Sequence, residues 1–203
     1  IHPAGSKELS KQEPIREYLP QGNLVYPLAQ HIGAPAKPVV KKGDHVLAGQ
    51  MIAEAGGFVS APIYASVSGT ILGISKHLTL TGAVVDAIEL ENDHAYEEVE
   101  WPEPTDPTTL SKEEILERIA TAGVIGMGGA GFPTRVKLSP KEPDKIEYIL
   151  VNGAECEPYL TSDYRLLLER PQELINGLKI VLQLFPQAKG YICIEDNKMD
   201  CVE

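Results

Sequence analysis

The chain has 203 residues, 43% of them hydrophobic, which is enough for one sizeable core or two small ones without disulfide support. Its formal charge of −11 and its lack of a Lys/Arg stripe speak against a nucleic-acid partner. Cys156, Cys193 and Cys201 are odd in number and far apart, so a reducing setting fits better than a secreted disulfide framework; no apolar run nears the roughly 20 residues that span a bilayer, and no signal-peptide pattern opens the chain.

In chain order, residues 1–23 are polar, proline-containing and without a sustained period, which predicts an extended arm. From Leu24 to about residue 100, short apolar runs alternate with Gly, Pro and Asp, the texture of a small all-β sandwich or barrel. Gly43-Asp44 and Gly49-Gln50 are expected to turn the chain between short strands, and Ser68-Gly69 to allow a further hairpin. Residues 101–110 contain WPEPTDPTT and read as a linker.

Residues 111–203 read as an α/β unit. Ser111 and Glu114 have capping-box spacing, Ile115, Leu116 and Ile119 form an apolar stripe, and Gly123 supplies a stop, which together predict a short helix. A weaker helix is expected near PTRVKL, a strand over 145–153 and a polar loop through AECEPYLTSDYRL. A helix over RPQELINGLKIVLQLF and a strand at KGYICIED follow. The chain begins at Ile1 and stops after a strand-like segment, so it is expected to be a piece of something longer.

The β half resembles lipoyl and biotinyl carrier domains, that is, a barrel-sandwich hybrid. A carrier needs a lysine at an exposed hairpin tip, yet none occurs between Lys42 and Lys76, and the expected tip reads EAGGFVSAPI. A scaffold or docking role follows. His31, His45, His77 and His94 lack metal-ligand spacing, so no metal site is expected.

Two stretches of the α/β half carry the chemistry. GMGGAGFP, residues 126–133, contains G-x-G-x-x-G, but a dinucleotide-binding loop must follow a buried strand and open a helix, and here a helix precedes and a proline follows. Five glycines among residues 123–131 still allow backbone amides to approach a ligand, with Lys137 downstream as a cation for phosphate; a flexible hinge is the alternative. At the end of the 145–153 strand, NGAECEP brings an amide, Asn152, close to Glu155 and Glu157, groups able to hold flavin, ribose or carboxamide atoms; a turn of exposed acids is the alternative there.

GMGGAGFPTRVK followed by VNGAECEP resembles the flavin site of the NADH-oxidising subunit of respiratory complex I, whose pattern is GRGGAGFPTGLKW and then VNADEGEP. From IHP through QHIGAPAKPVVKKGD, SAPIYASVSGT and ERP to IEDNK, the chain resembles the RnfC subunit of Rnf, an ion-translocating ferredoxin:NAD oxidoreductase of membranes. The resemblance implies a barrel-sandwich hybrid followed by the first part of an α/β flavin-binding domain. It further implies that Gly126, Gly128, Gly129, Gly131, Lys137, Asn152 and Glu155 contact flavin mononucleotide (FMN), and that Phe132 and Glu157 contact NADH. Two positions depart from the pattern: its arginine is Met127 and its aspartate is Ala154.

Further implications are hydride transfer from NADH to flavin with no proton-transferring side chain, and passage of electrons to iron–sulfur clusters in a later region. C-x-x-C-type cluster runs are missing from these 203 residues. The implied partners are other subunits of a membrane electron-transport complex, NADH and, indirectly, ferredoxin, with the protein peripheral on the cytoplasmic side. A microcompartment-type cobalamin reductase and a non-catalytic docking module are the alternatives.

Overall fold

The structure is a computed structural model that describes residues 4–202; the Ile1-His2-Pro3 opening and Glu203 lie outside the described residues. It divides into two compact units, Leu19–Pro140 and a second that joins Ile1–Tyr18 to Lys141–Glu203.

The first unit is built on two antiparallel sheets. Strands β1 (Leu24–Pro27), β7 (Val84–Asn92), β6 (Gly69–Leu78) and β3 (His45–Val46) form one in the order β1-β7-β6-β3; β2 (Lys37–Pro38), β4 (Met51–Glu54) and β5 (Ile63–Tyr64) form the other in the order β2-β4-β5. Val46, Ile52, Val67, Ile71, Ile88 and Leu90 have almost no exposed surface. Tyr26, Leu28 and Ala53 belong to the same core. Each buried Val, Leu or Ile contributes roughly 1.5–3 kcal/mol relative to exposure.

The turns at Gly43 and Gly49 occur as expected, both with positive φ, and Asp44 N–H donates to Lys41 O as Gln50 N–H does to Leu47 O. Ser68-Gly69 is different. β5 and β6 belong to different sheets, so this dipeptide carries the chain from one to the other instead of closing a hairpin. A Cβ on Gly69 would stand 2.0 Å from Glu91 O, so the close passage of β7 requires glycine. The EAGGFVSAPI segment folds back, with Ala34 N–H donating to Val59 O and Gly56 N–H to Ser60 Oγ.

Helices α1 (Lys112–Thr121) and α2 (Thr134–Lys137) belong to this same unit. The capping box is present: Ser111 Oγ accepts from Glu114 N–H at 3.2 Å and Glu114 Oε2 accepts from Ser111 N–H at 2.8 Å. Gly123 ends the helix at φ +67.

In the second unit, β8 (Tyr148–Gly153) pairs in parallel with β9 (Lys189–Ile194), and α3 (Ser162–Glu169) and α4 (Pro171–Leu184) make the crossover that a parallel pair needs. α3 lies where the sequence reads as a polar loop. Its acidic and polar first turn hides the signal, but Tyr164 and Leu167, three residues apart, are both buried. Arg170 breaks α3 from α4 at φ −135 and ψ 43, as expected before Pro171, whose ring disfavours helical geometry at the preceding residue. Gly190 admits α4: a Cβ there would stand 3.0 Å from both Leu178 and Leu182.

Candidate functional site

The glycine loop in the first unit is a closed loop with defined hydrogen bonds. Thr134 N–H donates to Val124 O at 3.0 Å and Gly126 N–H to Phe132 O at 2.8 Å, with a bridge between Ile125 and Pro133 pinning the neck. The loop is also fixed to the β module, since Ile32 N–H donates to Ala130 O at 3.1 Å and Gly131 packs on Gln30 and His31. His31 is buried beneath it. Its Nε2 lies 3.1 Å from both the N–H and the carbonyl oxygen of Ala61, and its Nδ1 lies 3.2 Å from Ile32 O.

What the loop offers outward is backbone. Residues 127–130 form a turn, and among the described residues no amide from 127 to 131 makes a well-aligned hydrogen bond to a backbone carbonyl. A Cβ on Gly128 or Gly129 would meet nothing within 4 Å, and one on Gly126 would stand 3.8 Å from Lys137 Nζ. Free amides beside an ammonium are what a phosphate or another electron-rich ligand needs. Met127 projects from the loop, 93% exposed, and Phe132 is half-buried.

The second unit presents Asn152, Glu155 and Glu157 on and after the carboxyl end of β8. Asn152 Oδ1 accepts from Ala154 N–H at 3.1 Å, which turns the chain and leaves the amide nitrogen for an outside acceptor. Glu157 is exposed. Glu155, by contrast, is only 3% exposed. Its Oε1 accepts from Asp163 N–H at 2.9 Å and Ser162 Oγ at 3.2 Å, and its Oε2 faces Lys7 Nζ at 3.5 Å and Lys198 Nζ at 3.7 Å. Of the three, Asn152 and Glu157 are therefore the ones turned to solvent.

Charges cluster around Glu155. Lys198 lies 2.5 Å from Glu195 Oε2, a charge pair without the alignment of a hydrogen bond, and holds the Glu195 carboxyl below its ordinary range. Burial, and then the Glu155 charge, raise Asp163. Tyr164 donates to Asp200 at 2.5 Å, which raises the phenol. A cleft of about 480 Å³ lies here, lined by Lys7, Lys11, Tyr164, Lys198 and Asp200 among others. Lys7, Lys198 and His31 carry no local sequence signal: each acquires its role from residues distant in the chain.

Comparison with known proteins places the two parts of the chain in families. The family described as the RnfC barrel sandwich hybrid domain matches residues 1–95, and the family described as the Nuo51 FMN-binding domain matches residues 119–203. The chain is 43% identical over 205 residues to a subunit of the proton-translocating ferredoxin:NAD(+) oxidoreductase complex of Clostridium ljungdahlii, covering 100% of this chain and 45% of that one. It is 36% identical over 211 residues to a subunit of the Na(+)-translocating ferredoxin:NAD(+) oxidoreductase complex of Acetobacterium woodii, covering 100% of this chain and 46% of that one. A subunit of the ion-translocating oxidoreductase complex of Haemophilus influenzae is 38% identical over 205 residues, covering 100% and 31% respectively.

The protein thus joins a barrel-sandwich hybrid domain to an FMN-binding domain of the Nuo51 type. It belongs to the RnfC family, and the chain spans less than half the length of the curated relatives it matches. Among the described residues, no helix is long and apolar enough to cross a membrane.

Proposed function

We propose that this chain is the FMN-bearing part of an electron-transfer subunit that passes electrons between NAD(H) and iron–sulfur clusters or ferredoxin within a membrane-associated complex, peripheral on its cytoplasmic side. The observation that carries the reading is the set of unbonded amides at 127–131 beside the Lys137 ammonium. Such a cradle suits FMN, which brings a phosphate and several carbonyl acceptors to one site.

In this reading Gly126, Gly128, Gly129 and Gly131 keep the loop free of side chains, Lys137 supplies positive charge, and Asn152 donates its free amide. Phe132 and Glu157 are assigned to NADH, the ring for stacking and the carboxylate for a hydroxyl or carboxamide. Glu155 acts from beneath, anchoring the acidic loop. When bound, FMN supplies acceptance of an electron pair and release of single electrons. The chain's own work is to bind and orient, and no side chain here is required to move a proton.

The test is the absorbance of the full-length protein purified with added FMN. A stoichiometric flavin spectrum that bleaches with NADH is the expected result. Absence of binding at high micromolar FMN would overturn the reading.

A further inference from the structure

The NGAECEPYL loop is held by a segment about 150 residues away in the chain. Lys7 Nζ donates to the carbonyl oxygens of Glu155 at 2.7 Å, Glu157 at 3.0 Å and Leu160 at 2.7 Å. An ammonium has three hydrogens in a tetrahedral fan and no acceptor, so three converging carbonyls use its full capacity. Two neighbours of Lys7 complete the strap: Gly5 O accepts from Tyr159 N–H at 2.7 Å, and Ser10 Oγ donates to Tyr159 O at 3.1 Å. Between them Tyr159 sits at φ +69, a left-handed conformation that a residue with a bulky side chain keeps only when its surroundings impose it.

Charge compensation alone does not account for this arrangement. Lys198 already faces the Glu155 carboxylate, so Glu155 retains a cation without Lys7. What Lys7 adds is geometric. It gathers three carbonyls of one short loop to a single point, and so sets the curvature that leaves Glu157 facing solvent.

We propose that Lys7 is a positioning residue for nucleotide binding by the acidic loop, touching neither FMN nor NADH itself. The inference rests on the flavin reading above. Two variants separate fan geometry from charge. Lys7→Met removes both, whereas Lys7→Arg keeps the charge on a planar guanidinium that cannot direct three N–H groups to three carbonyls in this arrangement.

The experiment uses full-length protein and two measurements. Amide hydrogen exchange without flavin follows Tyr159 and Asp163, whose N–H groups are held by Gly5 O and Glu155 Oε1. FMN titration and the NADH KM against kcat follow the loaded protein. Both variants are expected to raise exchange at Tyr159 by about tenfold or more. They should also weaken FMN or raise the NADH KM by about fivefold or more, with kcat changing far less.

Lys7→Arg indistinguishable from wild type in exchange and affinity overturns the proposal, because the lysine then acts as a plain charge. A loosened loop with FMN affinity and NADH KM unchanged overturns it as well. If Lys7→Met loses protection throughout residues 141–202, the unit has unfolded, and Lys7→Arg then decides. Wild-type protein that takes up no FMN removes the flavin reading and this inference together, an outcome read without either variant.

Discussion

A Cβ placed on Gly131 would stand 2.9 Å from the Cα of His31 and 2.8 Å from the carbonyl oxygen of Gln30. Neither atom belongs to a side chain that could swing away, and Gly131 itself has φ +58, a conformation other residues adopt at a cost. The glycine at this position is therefore needed by the fold, to seat the loop on the β module. Gly131→Ala is expected to lower stability by about 2 kcal/mol or more, since a backbone clash and left-handed strain act together. Chemical denaturation followed by fluorescence of the single tryptophan, Trp101, checks it, Trp101 lying in the same unit against Gly49. A cost within experimental error would show that the loop rests only loosely on the barrel.

Gly128 is the contrasting case in the same loop. It has open space around it and no positive φ, so the fold makes no demand for glycine there. Gly128→Ala should leave stability within about 0.5 kcal/mol of wild type. In full-length protein it should weaken FMN by about tenfold or more, ~1.4 kcal/mol, by placing a methyl group on the cradle's open face. Equal effects of both substitutions on stability, with FMN affinity unchanged by Gly128→Ala, would mean that the open glycines serve something other than flavin.

His31 permits a test of the same junction from below. Its ring accepts from Ala61 N–H while the next residue, Ile32, donates its N–H to Ala130 O of the glycine loop. His31→Leu roughly keeps the volume and removes the acceptor, leaving Ala61 N–H in a buried site without a partner. The expected cost is about 1–3 kcal/mol, measured by urea unfolding. A neutral result would indicate that water enters to satisfy the amide.

The parts of this protein legible in its sequence are those governed by neighbours in the chain. Ser111 and Glu114 are three residues apart, and the capping box they form follows from that spacing. Gly43 and Gly49 turn the chain where turns are expected, and the proline two residues after Gly131 rules out a helix opening on the loop. Ser68-Gly69 misleads because its glycine serves a contact with Leu90 and Glu91 of β7, far along the chain. α3 is missed because the burial of Tyr164 and Leu167 makes a helix of a polar-looking segment. The inward turn of Glu155 is the least legible feature of all, since its partners Lys7 and Lys198 come from the far ends of the chain and only the folded unit brings them together.

The capping box has a measurable consequence. Ser111→Ala removes the hydroxyl that accepts from Glu114 N–H, which should destabilise the unit by about 1 kcal/mol, with loss concentrated in α1. The bond from Ser111 N–H also holds the Glu114 carboxyl below its ordinary range, together with the bond to the serine side chain. Ser111→Ala keeps the backbone N–H and removes only the side-chain contribution, so the Glu114 titration should move upward part of the way, as followed by carboxyl NMR. An unshifted titration would mean that the backbone N–H alone holds the carboxylate.

Asp93 carries the clearest pH dependence of the β module. Its carboxylate accepts from Ser68 Oγ at 2.7 Å and from Ala95 N–H at 2.9 Å, and pairs with His45 Nε2 at 3.0 Å, which lowers its pKa to about 2. The bond from Ser68 is the largest cause, and Ser68 is fully buried, where it also accepts from Glu97 N–H. Because the folded pKa lies below the unfolded one, near 3.9, the contribution is fully present above about pH 4 and is lost as pH falls from there toward 2. Asp93→Asn removes this proton linkage while keeping an acceptor for the serine. The stability difference between wild type and Asp93→Asn should therefore be largest near neutral pH and shrink steadily between pH 4 and pH 2, as measured by urea unfolding at each pH. A difference that stays constant across that interval would show that Asp93 keeps its ordinary pKa and that the Ser68 hydroxyl is bonded elsewhere.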